Sequence, residues 1–281
     1  MQTLTEIITG LKLTRAGRWH RGVCPNCGKD SLSVTEGRAG IKACCHYGCD
    51  RAAVREALGA GKLPQRDPEA DQREAAARAS ATEAARKIWS GADPVTPDDP
   101  AGRYLAGRHL AAAIGTAAIR YRRDTAHPTG GRWPALICRI SNAAGDLVAA
   151  HRIYLTQNGD KASLDPVKAA KGPIWGGAIR FATGAEIVVA EGPETALAAG
   201  LILNLPPWST INAGNLRRGL ILPAEVRRVV IAADHDKPGI EAAEAAARRW
   251  KAEGRAVRII LPDNPGEDFA DVLAQRAGGA N

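Results

Sequence analysis

Two apolar runs in this chain each end in acid. Ile187-Val188-Val189-Ala190 leads into Glu191-Gly192, and Val229-Val230-Ile231-Ala232-Ala233 leads into Asp234-His235-Asp236. Short β-branched runs of this kind, bounded by polar turns, are the pattern of strands buried on both faces. Around them strand and helix alternate: a helix opened by Pro193, a short strand near Ser209-Thr210-Ile211, a helix from Gly239 to Trp250, and a strand from Val257 to Leu261. The alternation predicts an α/β fold with a doubly wound, mostly parallel sheet. In such a sheet the crevice beyond the carboxyl ends of the strands is the binding edge, so Glu191, Asp234 and Asp236 are expected to converge there.

Carboxylates gathered in one crevice repel each other and are pushed toward protonation unless a cation neutralises them. Mg²⁺ or Mn²⁺ does this with one or two protein carboxylates, keeping water and substrate phosphates as further ligands. Asp234 and Asp236 stand two apart on an extended segment and share a side. Glu191 is placed either to bind the metal or to take a proton from an attacking hydroxyl. The competing structural reading is that these acids cap the helices that follow.

The 38 Lys and Arg against 30 Asp and Glu are unevenly spread. Residues 1–185 hold 27 basic and 17 acidic side chains, and residues 186–281 hold 11 and 13, so the positive excess lies ahead of the acid site. A polyanionic partner fits that division. Arg122, Arg123, Arg152, Lys161, Lys168, Lys171 and Arg180 are the candidates for phosphate contacts, with Trp133 and Trp175 as candidates for base stacking or for core. The stretches Ala135–Ile140 and Leu147–Leu155 flank Asn142-Ala143-Ala144-Gly145-Asp146 and read as an antiparallel hairpin. Asp99-Pro100 is a helix start.

Five of six cysteines fall between Cys24 and Cys49, a clustering that favours a metal over disulfides. Cys24-Pro25-Asn26-Cys27-Gly28 is a knuckle able to turn two thiolates toward one Zn²⁺. Cys44, Cys45 and His46 all compete to partner Cys49. Neighbouring residues on an extended chain point to opposite sides, and we take Cys45 with Cys49, Gly48 easing the turn. Four thiolates close the coordination sphere, so the zinc is expected to be structural. Asp50 is a fitting cap for a helix over 51–58. A polar, proline-bearing linker from Gly61 to Glu69 and an Ala/Arg/Glu-rich solvated helix over 70–89 follow. No apolar stretch reaches the roughly 20 residues of a membrane span, and the first residues lack a basic, then apolar leader. A cytoplasmic protein without a membrane partner is expected.

Together these features resemble the Toprim domain, with Glu191-Gly192 as its glutamate motif and Asp234-His235-Asp236 as its D-x-D motif. Cys45-His46-Tyr47-Gly48-Cys49, Tyr104-Leu105-Ala106-Gly107-Arg108, Gly176-Gly177-Ala178-Ile179-Arg180, Ala190-Glu191-Gly192-Pro193-Glu194-Thr195-Ala196-Leu197 and Asp268-Phe269-Ala270-Asp271-Val272-Leu273 resemble, in that order, primases of phages, plasmids and integrated elements. The resemblance implies a zinc-ribbon template-binding domain (1–60), a helical linker (61–93), a basic α+β lobe (94–184) and a Toprim catalytic domain (185–281). It implies catalysis at Glu191, Asp234 and Asp236, with Asp268 and Asp271 as further contributors to the Mg²⁺ or Mn²⁺ site. It also implies single-stranded DNA and ribonucleoside triphosphates as ligands. No P-loop follows the motifs, so a replicative helicase would act in trans. The alternatives are a Toprim nuclease and a noncatalytic DNA-binding accessory. A topoisomerase would need a tyrosine nucleophile and a gate for which the chain has no room.

Overall fold

The computed structural model describes residues 2–17, 19–37, 40–59 and 68–279. The chain divides into two compact units, residues 1–74 and 75–281. Most of the predicted linker, residues 61–67, lies outside the described residues.

In the first unit, helix α1 (Leu4–Gly10) opens with a capping box in which Thr3 and Glu6 satisfy each other's backbone N–H groups. A four-stranded antiparallel sheet follows in sequence order: β1 (Thr14–Ala16), β2 (Trp19–Val23), β3 (Asp30–Gly37) and β4 (Gly40–Cys45). Helix α2 (Arg51–Ala57) starts at Asp50, whose carboxylate accepts from Ala52 and Ala53 N–H. Ile7, Leu32, Val34, Val54 and Leu58 form its small core around Cys24 and Cys45.

The long helix α3 (Pro68–Ser90) is mostly exposed, as its composition predicts, but its end is not a plain spacer. Ala85 is buried, with Ile88 and Trp89, against Ala135, Ile137 and Tyr154. Helix α4 (Pro100–Gly107) starts at Asp99, which accepts from Gly102 N–H at 2.8 Å. Strands β5 (Ile119–Ala126), β6 (Arg132–Ser141), β7 (Leu147–Tyr154) and β8 (Lys168–Lys171) form an antiparallel array, the predicted hairpin being β6–β7. After β9 (Ala178–Arg180) come β10 (Glu186–Ala190), α5 (Pro193–Leu203), β11 (Pro207–Ser209), β12 (Arg228–Ala232), α6 (Lys237–Ala252), β13 (Ala256–Ile260) and α7 (Phe269–Gly278). The order β13-β12-β10-β11 is parallel throughout.

The basic lobe and the parallel part are not separate sheets. Strand β9 pairs antiparallel with β11 on one side and β6 on the other, so nine strands make one continuous sheet. Strand alternation places it between two cores. Leu136, Cys138, Ile140, Val188, Ala190, Val230 and Ala232 face the core shared with α4, α5 and α7. Ile187, Val189, Val229 and Ile231 face Ala242, Ala243, Ala246 and Trp250 of α6. A sheet buried on both faces requires the unbroken apolar runs seen in β10 and β12.

Candidate active site and cysteine centre

Strands β10 and β12 are adjacent and parallel, Val189 lying beside Ile231, so their carboxyl ends open on the same edge. Glu191 follows β10 directly. Ile211 N–H and the Ser209 hydroxyl hold its carbonyl at 2.8 and 2.7 Å. Burial first, and then the charge of Asp236, push the Glu191 carboxyl upward from its ordinary value.

Asp234 stands two residues beyond β12. Burial, then the charges of Glu191, Asp268, Asp236 and Asp271, raise it from 3.8 to about 6. Its Oδ1 is buried with no hydrogen-bond partner. A buried carboxylate oxygen among four other acids and without a donor is the arrangement a divalent cation completes. The orphaned Asp234 oxygen is compatible with a divalent cation that takes few protein ligands and keeps water as the others.

The capping reading holds for two of the acids. Asp236 caps α6, accepting from Gly239 N–H at 2.7 Å, and stays exposed. Asp268 caps α7: one oxygen takes the N–H groups of Ala270 and Asp271, and the other takes the Thr195 hydroxyl at 3.0 Å. Asp271 returns the capping box to Asp268 N–H. His235 brings this loop to the site, donating its backbone N–H to Glu267 and accepting from Gly266, with Nδ1 2.8 Å from the Pro262 carbonyl. Gly239 is required here, because a Cβ would stand 2.6 Å from the Asp234 carbonyl oxygen.

The seven basic candidates separate by their partners. Arg122 donates to the Lys87 and Ile88 carbonyls at the end of α3. Arg152 is buried, donating to Ala126 and Ala169 carbonyls. Arg180 lies 4.3 Å over the Trp208 ring and donates to the Asn142 carbonyl. Arg123 and Lys171 are exposed. Lys168 and Lys161 sit 2.9 and 3.4 Å from Glu194, which also accepts from the Tyr104 hydroxyl at 2.6 Å. Burial would raise Glu194, but Lys168, the Tyr104 hydroxyl and Lys161 overcome it and hold the carboxyl down near about 2.

Sequence reasoning passed over this knot because its partners lie up to ninety residues apart. It also gave no role to Arg103, which with Arg108, His109, Lys161 and Asp271 lines a cleft of about 570 Å³. Arg108 lies 5.2 Å over the Tyr104 ring. The motif Tyr104-Leu105-Ala106-Gly107-Arg108 was the available signal. Of the two tryptophans, Trp133 is at the edge of exposure and Trp175 is well exposed.

In the first unit Cys24, Cys27, Cys45 and Cys49 place their sulfurs within 4.8 Å of one another, the only such cluster of three or more metal-ligating side chains among the described residues. Cys44 lies outside it, on the opposite side of β4. Burial raises the Cys45 thiol, but the Ser31 hydroxyl at 3.1 Å and the N–H groups of Cys49 and Tyr47 reverse this and bring it to about 6. A thiolate held by N–H donors in a four-sulfur set fits a tetrahedral thiophilic ion such as Zn²⁺.

Residues 186–279 match the Toprim domain family. Residues 79–181 match a family described as a domain of unknown function, DUF7146. Residues 186–279 thus carry a Toprim domain, and the glutamate and D-x-D motifs fall within that segment. Among solved structures it is similar to a DnaG primase catalytic domain bound to ssDNA, at 15% identity over 73% of this chain and 81% of that one, with a TM-score of 0.48. The primase fragment of the bacteriophage T7 primase-helicase protein gives 13% identity, 92% and 96% coverage and a TM-score of 0.43. The zinc-binding and RNA polymerase domains of the Aquifex aeolicus primase give 13%, 100% and 84%, and 0.35. No curated protein matches the chain. Among the described residues no helix is long and apolar enough to cross a membrane.

Proposed function

We propose that this protein is a DNA primase that synthesises short RNA primers on single-stranded DNA in the replication of a phage, plasmid or integrated element. The observation that carries the reading is the orphaned, buried oxygen of Asp234 among Glu191, Asp236, Asp268 and Asp271 at the strand ends of a Toprim domain. Bound Mg²⁺ or Mn²⁺ would supply charge neutralisation and orient a triphosphate. Glu191, Asp234 and Asp236 are the residues to hold it. Asp268 and Asp271 shape the site chiefly through their caps, since both Asp268 oxygens already accept hydrogen bonds.

In the reaction a primer 3′-hydroxyl attacks the α-phosphorus of a ribonucleoside triphosphate. The new O–P bond forms as the bond to pyrophosphate breaks. With Asp234 and Asp236 holding the metal, Glu191 either completes its ligands or, its carboxyl raised by burial, receives the hydroxyl proton. The cleft beside Asp271, with Arg103, Arg108 and Lys161 on its walls, is suited to hold phosphates of the incoming nucleotide or template. Such chemistry rests on positioning and charge, and needs no serine or histidine nucleophile. We assign residues 1–60 to template binding through a structural zinc, 61–93 to a linker, 94–184 to the basic lobe and 185–281 to catalysis. A helicase would be recruited in trans, in the cytoplasm.

The test is incorporation of labelled ribonucleotides on single-stranded DNA with Mg²⁺ or Mn²⁺, comparing wild type with Asp234→Asn. Short products that vanish in the variant support the primase. No product on any template, with zinc and DNA binding intact, overturns stand-alone synthesis in favour of a noncatalytic accessory. Cleavage of the template in place of synthesis would indicate a nuclease.

A further inference from the structure

Trp175 is 61% exposed and Ile221 57% exposed, and the two occupy neighbouring turns of the second unit. Their closeness follows from two glycines. A Cβ on Gly219 would come within 3.1 Å of Trp175 Cδ2, and one on Gly176 within 3.4 Å of Ile221 Cδ1. The indole thus lies against bare backbone on one side and meets solvent on the other.

The support beneath is rigid. Asn215 is fully buried, and its side chain accepts from Gly176 N–H at 3.0 Å while donating to the Gly177 and Thr210 carbonyls at 2.8 and 2.9 Å. Ile221 N–H closes the pair of turns onto the Gly176 carbonyl at 3.2 Å. The same loop is tied to the acid site, Ile211 N–H donating to the Glu191 carbonyl at 2.8 Å, and is closed within itself by Asn215 N–H on Asn212 Oδ1 at 2.8 Å. An apolar surface held this firmly has little conformational entropy left to lose on binding. Lys171, which is exposed, stands four residues before Trp175 along the chain.

We propose that Trp175, held against the Gly219 backbone beside the exposed Ile221, is a stacking platform for an unpaired base of single-stranded DNA. A rigid, exposed indole is what a sequence-tolerant contact to an unpaired base requires. This inference rests on the primase reading, since it names part of the path of the nucleic acid.

The experiment is binding of a fluorescently labelled thymidine 20-mer to the full chain by anisotropy over a salt series, without nucleotide. Trp175→Ala is expected to weaken binding about 5- to 150-fold, with Trp175→Phe recovering most of the loss. The slope of affinity against salt should be unchanged, because no phosphate contact is lost; Lys171→Ala should lower it by about 0.7. Binding by Trp175→Ala within twofold of wild type, or Trp175→Phe as weak as Trp175→Ala, overturns the platform and leaves primer synthesis standing. A wild-type dimer that becomes monomeric in Trp175→Ala overturns it in favour of a contact between copies. Failure of the wild type to bind the oligonucleotide overturns platform and primase together.

Discussion

The substitution Asp234→Asn is expected to make the metal-free protein more stable while abolishing primer synthesis. Folding raises this carboxyl from 3.8 to about 6, so near neutral pH the folded state holds a charge it disfavours. Two pH units correspond to at most about 3 kcal/mol. Solvent reaches part of the carboxylate, and screening reduces the gain to about 1–2 kcal/mol. In a unit of this size that is a rise of about 2–8 °C in the unfolding temperature. The sign follows from linkage. A group raised in the folded state contributes stability that is fully present below its unfolded value near 3.8 and lost as pH rises through about 6. Wild type and variant should therefore unfold together at pH 3.5–4 and diverge above pH 7. Mg²⁺ at ten times its dissociation constant should return about 1.4 kcal/mol to the wild type and little to the variant. Thermal unfolding by circular dichroism, with zinc present throughout and Mg²⁺ added or omitted, reads all three effects. A variant less stable than wild type at pH 8 without Mg²⁺, or equally stabilised by it, would refute the view of Asp234 as an uncompensated cation ligand.

Cys45→Ser is expected to lose the bound zinc and unfold the first unit, whereas Cys44→Ser should retain both, as measured by metal content and circular dichroism. Glu194→Gln leaves Lys161 and Lys168 facing each other without a counter-charge. It should cost about 2–3 kcal/mol by denaturant titration, less than a fully buried pair because both lysines are partly solvated. Because folding lowers Glu194 from 4.5 to about 2, its contribution is present above its unfolded value and lost as pH falls through about 2, which an acid titration of wild type against the variant detects. Gly239→Ala must move the Asp234 backbone or the Asp236 cap, and should cost about 1–3 kcal/mol together with most primer synthesis; an unaltered rate of synthesis would show that this approach does not fix the acids.

The strands that carry the acids were legible because burial on both faces demands long apolar runs, and such runs stand out in β10 and β12. The Asp-Pro starts of α4 and the cysteine parity in β4 were equally local signals. Strand β9 was not legible: three residues give no periodicity, and its pairing with β11 depends on a segment almost thirty residues later. The basic candidates show the same limit. A guanidinium is read from sequence as a charge, but Arg122 and Arg152 spend their donors on carbonyls that only the fold brings near. Asp268 was visible as an acid and as a cap, while the Thr195 hydroxyl on its second oxygen was not.

The narrow strand β9 also limits how the chain can be divided. A fragment beginning at residue 185 would leave β11 with an open flank, and the complementary fragment would leave β9 with another. Open flanks of this kind recruit strands from other molecules. The lobe and the Toprim segment should therefore resist separate expression and shuffling between proteins, and be inherited as a pair, even though they match two different families.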